Sequence, residues 1–219
     1  MPLPEEGGEG LAGRCVIVLN GGFRLGPALR QELAGAFLVA ADAGFRRLGR
    51  AGIRPDVAVG DFDSLGGVPY GVRAIRHPVE KDETDGELAL QVALAEGMRR
   101  IAIVGAMGGR YDMALGHVAL LRQAQAAGAR ALLTDGRQAA LLVPPSRLSV
   151  GPLRATLSVI PLTARARLAS HGLKWPLDEV TLRWEEMRGV SNRIVRADAW
   201  IRAVSGQALA VVPYRTGIC

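Results

Sequence analysis

Short apolar runs alternate with helical segments through residues 14–143, and this alternation restricts the possible folds. The runs predict buried strands at residues 15–19, 37–41, 57–60, 72–76, 101–105 and 131–134. Helical periodicity and helix-ending glycines predict helices at residues 25–33, 45–51, 84–98 and 112–127. Strands that alternate with helices favour an α/β fold, in which a doubly wound, mostly parallel sheet carries helices on both faces.

The pattern changes at residues 144–146, where two prolines and a serine interrupt it. Beyond this point, alternating apolar segments are separated by glycine and proline turn residues, and no long helix is predicted. This pattern is typical of a small antiparallel β-sandwich or barrel. We therefore predict an α/β domain at residues 14–143 and a β domain at residues 146–219, preceded by a disordered lead-in at residues 1–13.

Composition and charge argue against several classes of protein. The chain is 49% hydrophobic and 22% charged, as in soluble globular proteins, and no apolar run approaches the ~20 residues that span a bilayer. Its net charge of +6 comes from arginines scattered along the chain, so nucleic acid is not an expected partner. Residues 1–10 do not form a signal peptide, and Cys15 and Cys219 lack metal or redox spacing, which favours the cytoplasm.

Aspartates concentrate between residues 60 and 85. Asp61 and Asp63 follow the third predicted strand, at the sheet edge where open α/β folds place their ligands. If the chain stays extended through Phe62, both carboxylates point to the same side. Asp82 and Asp85 lie at the start of a predicted helix, where the positive helix end holds them near each other.

The start of this helix is well defined, because Thr84 and Glu87 have the spacing of a capping box. Clustered carboxylates repel one another and need a cation if all are to ionise. Oxygen ligands favour Mg²⁺, which combines one or two carboxylates with phosphate oxygens. The alternative is that the aspartates only cap turns and complement the helix dipole, but two acidic motifs together favour the metal site. The predicted metal ligands are Asp61, Asp63, Asp82 and Asp85.

Two further strand ends carry residues that suit a binding site. Asn20, Gly21 and Gly22 follow the first strand and precede a helix, which fits either a backbone cradle for phosphate or a tight turn. Asp42 ends the second strand, at the same sheet edge as Asp61 if the strands are parallel. It is either a site residue or an ordinary turn residue, and spacing alone leaves both interpretations open.

These motifs, in this order, resemble those of the thiamine pyrophosphokinase (thiamine diphosphokinase) family. The resemblance extends from about residue 16 to residue 212, and it implies a homodimeric, Mg²⁺-dependent enzyme. Such an enzyme transfers pyrophosphate from ATP to thiamine, which gives thiamine diphosphate and AMP. The motifs are Ala41-Asp42-Ala43-Gly44, Gly60-Asp61-Phe62-Asp63-Ser64, Lys81-Asp82-Glu83-Thr84-Asp85, Gly108-Gly109-Arg110-Tyr111-Asp112, Gly172-Leu173-Lys174-Trp175 and Ser191-Asn192.

The resemblance also implies roles for individual residues, and it gives Arg110 a catalytic role beside the four aspartates. The residues implied in ATP binding are Asn20, Gly21, Gly22, Asp42, Lys81, Arg110 and Asp112. The residues implied in thiamine binding, in a pocket between two subunits, are Asp112, Trp175, Ser191 and Asn192. The residues themselves leave alternatives open: Lys81 could only offset the acidic cluster, Asp112 could only cap a helix, and Trp175 could be a core aromatic rather than a stacking partner for a cationic ring.

Three positions depart from the family pattern, and they bear on the nucleotide side of the site more than on the acidic motifs. Ala43 stands where the family usually has glycine, Met113 where it commonly has histidine, and His117 where it commonly has asparagine. Two other functions stay open at this point. One is a related pyrophosphokinase that acts on a hydroxymethylpterin-like substrate, and the other is a non-catalytic nucleotide-binding relative.

Overall fold

The structure is a computed structural model that describes residues 13–77, 82–178, 180–216 and 218. The strands are β1 (Arg14–Val18), β2 (Phe37–Ala41), β3 (Val57–Gly60), β4 (Arg73–Arg76), β5 (Arg100–Val104), β6 (Arg130–Thr134), β7 (Gln138–Leu142), β8 (Leu148–Ser149), β9 (Thr156–Pro161), β10 (Arg165–His171), β11 (Thr181–Arg183), β12 (Asn192–Arg193), β13 (Trp200–Ser205) and β14 (Ala208–Pro213). The helices are α1 (Pro27–Leu33), α2 (Gly44–Arg50), α3 (Asp85–Ala95), α4 (Tyr111–Gly116) and α5 (Val118–Ala126), and a 3-10 turn covers Asp63–Leu65. None of the helices in these ranges is both long and apolar enough to cross a membrane.

The larger sheet has the strand order β12-β9-β14-β7-β6-β5-β1-β2-β3-β4. Strands β1 to β6 run parallel to one another, as predicted. The central strands are buried, and their sequences are therefore nearly continuous apolar runs rather than alternating ones. Because β2 and β5 both neighbour β1, the strand order reverses there. A crevice is expected outside the carboxyl ends of β1 and β5.

The strands that follow residue 144 divide between two sheets. β9, β12 and β14 continue the larger sheet through β7, which is antiparallel to both β6 and β14. The others form a second sheet in the order β11-β10-β13-β8, whose pairs are antiparallel as predicted. One hydrophobic core includes Val16, Leu132, Leu157 and Ile201, so the two parts of the chain pack together. The domain division at residues 143–146 stays a prediction.

The helices lie near their predicted positions, with one exception. The capping box of α3 is confirmed: Thr84 Oγ1 accepts from the Glu87 N–H at 3.3 Å, and Glu87 Oε2 accepts from the Thr84 N–H at 2.8 Å. α3 ends earlier than predicted, before Gly97, which has a left-handed backbone with φ +78°. The prediction of one helix at residues 112–127 was wrong. Two helices, α4 and α5, meet at His117, directly after Gly116, a residue that disfavours helix continuation.

Candidate active site

A cleft of about 600 Å³ lies at the carboxyl ends of the parallel strands. Its walls come from the segments that follow β1, β2, β3 and β5, together with the first turn of α3 and part of α4. This is the place where the strand order reverses. The fold therefore puts the cleft where open α/β sheets bind their ligands.

Asn20, Gly21 and Gly22 form a turn after β1, called here the glycine turn (residues 20–22), and all of them line the cleft. A Cβ atom on Gly21 would lie 1.9 Å from the carbonyl oxygen of Gly105, which follows β5. Only glycine therefore allows the two turns to approach each other this closely. The structure brings the predicted residues of this turn into the cleft, and their binding of phosphate stays a prediction.

Carboxylate side chains line much of the cleft. Asp42 and Asp61 follow the neighbouring strands β2 and β3, and the Asp42 N–H donates to the Val59 carbonyl at 2.8 Å. Asp42 has φ +41°, a left-handed conformation that aspartate tolerates better than most residues. Asp85 and Glu83 line the cleft from the start of α3. Sequence reasoning did not select Glu83, although it stands between Asp82 and Asp85.

The chain does not stay extended through Phe62, so the expectation that Asp61 and Asp63 point to the same side was wrong. Phe62 has φ +63°, and Asp63 begins the 3-10 turn. Asp61 Oδ1 accepts a hydrogen bond from the Asp63 N–H at 2.9 Å. Burial of the Phe62 side chain and this hydrogen bond compensate for the left-handed backbone. The Asp63 side chain is exposed and lies outside the cleft lining.

The four predicted metal ligands are therefore not equivalent. Asp61 and Asp85 line the cleft, whereas Asp63 and Asp82 are exposed outside its lining. Within the described parts of the chain, no group of three or more acidic, histidine or cysteine side chains lies close enough to hold a metal ion. Lys81 lies outside the described residues. Metal binding by these aspartates stays a prediction.

The arginines of the cleft lining are Arg47 and Arg110. Arg110 forms a two-point ion pair with Asp112, with Nε–Oδ1 at 3.1 Å and Nη2–Oδ2 at 2.5 Å. These hydrogen bonds raise the pKa of Arg110 and lower the pKa of Asp112 to about 2, so the pair stays charged near neutral pH. Asp112 lies outside the cleft lining, and its two hydrogen bonds orient the Arg110 side chain. Arg47 was not predicted as a site residue, and its Nε donates to the Asn20 carbonyl at 2.6 Å.

The three departures from the family pattern fit their surroundings. Ala43 has a helical backbone with φ −62°, so this position does not need glycine. His117 lies at the junction of α4 and α5, where its Nδ1 donates to the Ala106 carbonyl at 2.9 Å. Met113 and His117 both line the cleft. Met113 and His117 therefore change the chemistry of one cleft wall, whereas Ala43 lies outside the cleft lining.

A second pocket, of about 460 Å³, is lined by residues that precede β11 and by residues that lead into β12, and it contains Trp175, Ser191 and Asn192 together. The Trp175 side chain is half-exposed, and the Lys174 ammonium lies 4.6 Å from the centre of its ring. Asn192 is buried and fixes the neighbouring loop, because its Oδ1 accepts from the Trp175 N–H at 3.2 Å and its Nδ2 donates to the Trp175 carbonyl at 2.6 Å. Three of the four residues that the resemblance implied in thiamine binding thus share one pocket, whereas Asp112 lies outside its lining. Their binding of thiamine stays a prediction.

Both parts of the chain match models of known protein families. Residues 30–133 match the model of the thiamin pyrophosphokinase catalytic domain, and residues 147–207 match the model of the thiamin pyrophosphokinase vitamin B1 binding domain. The chain belongs to the thiamine pyrophosphokinase family. Most of the cleft lining lies in the part that matches the catalytic domain of this family, and the glycine turn precedes that part. The second pocket lies in the part that matches the vitamin B1 binding domain.

Individual members of the thiamine pyrophosphokinase family resemble this chain along most of its length. The thiamine pyrophosphokinase of Bacillus subtilis (strain 168) is 29% identical over 168 residues, which are 73% of this chain and 78% of the relative. A crystal structure of thiamine pyrophosphokinase from Bacillus subtilis has a TM-score of 0.80 and 26% identity, and the match covers 91% of this chain and 98% of that one. The structure of thiamin pyrophosphokinase from Candida albicans shares the fold, with 17% identity and a TM-score of 0.74. This match covers 91% of this chain and 88% of that one.

Gly44 and its neighbour Ala43 allow a matched test of how α2 packs on β1. A Cβ atom on Gly44 would lie 2.0 Å from the Val18 carbonyl oxygen, so Gly44→Ala must push α2 away from β1. We expect this change to lower the free energy of unfolding by about 3 kcal/mol. Ala43→Gly restores the usual family residue at a helical position and should lower it by less than ~1 kcal/mol. Urea denaturation measures both values, and equal losses would contradict the packing argument.

Proposed function

We propose that the protein transfers pyrophosphate from ATP to the hydroxyl group of thiamine, which gives thiamine diphosphate and AMP, and that it uses Mg²⁺. The observation that carries this proposal is the acidic cleft at the strand-order reversal, in a chain whose two parts match the two domains of the thiamine pyrophosphokinase family. Phosphoryl chemistry depends mainly on positioning and on neutralisation of charge. The residues of this cleft are suited to both.

The charges of the cleft support the metal part of the proposal. Four acidic side chains line it, those of Asp42, Asp61, Glu83 and Asp85. Its two arginines do not balance them, because Arg110 is already paired with Asp112 and Arg47 adds a single positive charge. A polyphosphate chain would be repelled by such a cleft unless a cation entered with it. Mg²⁺ suits this donor set, because it binds through one or two carboxylates and completes its shell with phosphate oxygens and water. When bound, it would supply the positive charge that offsets the phosphate oxygens.

The remaining roles are metal binding and phosphate binding, and different residues of the chain would perform them. Asp61 and Asp85 would hold the metal, and Asp63 and Asp82 stay predicted ligands at more exposed positions. The backbone N–H groups of the glycine turn would bind phosphate oxygens without bringing further negative charge. Arg110, oriented by Asp112, would bind the nucleotide at the rim of the cleft.

A homodimer with a shared thiamine site accounts for two exposed apolar surfaces. One is on α4 at the cleft, where the side chains of Tyr111 and Leu115 are 77% and 56% exposed. The other is in the segment that leads to the second pocket, where Trp184 and Met187 are 63% and 80% exposed. Surfaces of this kind are typical of interaction sites. A two-fold dimer would bring the second pocket of each subunit to the cleft of its partner, so that thiamine binds between them.

The cytoplasm is the proposed location. Cys15 is an unpaired thiol inside the core, as expected for a chain that folds in a reducing compartment. Burial raises the pKa of Cys15 to about 12, so this thiol stays protonated and unreactive in the folded protein.

An assay of the purified protein with ATP, Mg²⁺ and thiamine tests the proposed reaction. AMP and thiamine diphosphate are expected in equal amounts, and EDTA should abolish both. A parallel reaction with a hydroxymethylpterin should release no AMP above the rate without acceptor. AMP release with the pterin alone would favour the related pyrophosphokinase. ATP binding without AMP release under any of these conditions would favour a non-catalytic nucleotide-binding protein.

A further inference from the structure

We propose that Arg47 is a phosphate-binding residue of the cleft, and that the Asn20 carbonyl holds its guanidinium group beside the glycine turn. The proposed ligand is the polyphosphate chain of the nucleotide, so the inference rests on the proposed function and adds a residue to it. The family motifs and the carboxylate clusters in the sequence did not indicate a role for Arg47. Its position in the fold indicates one.

Arg47 reaches the cleft because α2 packs closely on β1. Gly44, in the first turn of α2, lies against the Val18 carbonyl, where a Cβ atom would be only 2.0 Å away. Three residues later, the Arg47 side chain lines the cleft, and its Nε donates to the Asn20 carbonyl at 2.6 Å. Arg46, its neighbour on the same helix, is exposed and lines a different depression with residues 65–69. The two arginines therefore differ in position but not in chemistry.

The charge balance of the cleft distinguishes Arg47 from Arg110. Arg110 makes a two-point ion pair with Asp112, which occupies one edge of its guanidinium. Within the described residues, Arg47 forms no ion pair with a carboxylate, and its described hydrogen bond is to a neutral carbonyl through Nε. The terminal nitrogens thus keep N–H groups in a planar fork that suits phosphate oxygens.

The hydrogen bond to Asn20 also places this fork next to a second set of donors. The glycine turn follows β1 directly, and Gly21 leaves no room for a side chain between the turn and Gly105. The turn and the guanidinium are therefore held together before any ligand binds. A phosphate group at the N–H groups of the turn would meet a fixed cation, which reduces the entropy lost on binding. Such fixed donors also suit charge that develops during phosphoryl transfer.

The test compares Arg47→Gln and Arg47→Lys with the control variants Arg46→Gln and Arg46→Lys. Calorimetry measures the binding of Mg-ATP, of inorganic tripolyphosphate with Mg²⁺, and of adenosine. We expect both Arg47 variants to bind ATP and tripolyphosphate at least ~10-fold more weakly, because glutamine loses the charge and lysine loses the planar fork. Adenosine affinity should stay unchanged in all variants. The Arg46 variants should match the wild type for every ligand.

Three results would overturn the inference. The first is wild-type affinity for both phosphate ligands in the two Arg47 variants. The second is an equal loss of adenosine and ATP affinity. The third is a lower melting temperature with unchanged ATP affinity, which would make Arg47 only a structural link between α2 and the glycine turn. If the wild type binds ATP and tripolyphosphate but forms no thiamine diphosphate, the proposed function fails, while the binding comparison still decides the role of Arg47.

Discussion

Asp61→Asn should lower kcat at least ~100-fold and leave the fold intact. The change removes a negative charge from the cleft at the end of β3, where the proposed Mg²⁺ would meet the phosphate chain. The fold should survive because the asparagine side-chain oxygen can still accept the hydrogen bond that Asp61 Oδ1 accepts from the Asp63 N–H at 2.9 Å. AMP release over a range of Mg²⁺ concentrations measures the effect, and circular dichroism with thermal unfolding checks the structure.

Asp63→Asn is the matched control for this experiment. The sequence pattern treats the two aspartates alike and predicts equal losses of activity. In the structure, the Asp63 side chain is exposed outside the cleft lining, so we expect a loss at least ~10-fold smaller than that of Asp61→Asn. Near-normal turnover of Asp61→Asn at limiting Mg²⁺ would remove Asp61 from the metal site. Equal losses would contradict this difference and would support Asp63 as a metal ligand.

The parallel sheet could be predicted because its signal is local. Residues 15–19, 37–41 and 101–105 are apolar throughout, since helices cover both faces of the central strands, and helical periodicity lies between them. The extension of this sheet could not be predicted in the same way. β7 pairs with β14, about seventy residues later in the chain, and no local pattern states which distant strand is the partner.

Part of the cleft could be predicted from the sequence because some of its residues stand at strand ends, whereas the rest could not. Asp42, Asp61 and the glycine turn stand directly at strand ends, and parallel strands bring such ends to one edge. Arg47 enters the cleft through a tertiary contact, the packing of α2 on β1. Glu83 stands between two of the predicted aspartates, and the motif itself did not single it out. The conformation of Phe62 could not be predicted either. Bulky residues rarely adopt φ +63°, and the burial of its ring and the hydrogen bond from the Asp63 N–H to Asp61 compensate for this conformation.

A mixture of an inactive variant and an impaired one should recover activity if the thiamine site is shared between subunits. Asp61→Asn inactivates the cleft, and Trp175→Ala removes the half-exposed ring of the second pocket. Loss of stacking on a cationic ring, worth ~0.5–2 kcal/mol, should lower the activity of the second variant about 2- to 30-fold at limiting thiamine. In a two-fold dimer, a mixed pair has one doubly altered site and one site with both wild-type parts. Random assortment should therefore restore about a quarter of the wild-type activity.

Two controls make this result specific to a shared site. Mixing Asp61→Asn with Asp85→Asn should restore nothing, because each chain then carries a damaged cleft and no mixed pair contains an intact one. Light scattering should give about twice the monomer mass of 23.2 kDa for every variant and mixture. Dimers that exchange subunits but show no gain in activity would place each thiamine site within one chain. In that case the exposed side chains of Tyr111, Leu115, Trp184 and Met187 need another explanation, while the Asp61 argument is unaffected, since it depends on the cleft of a single chain.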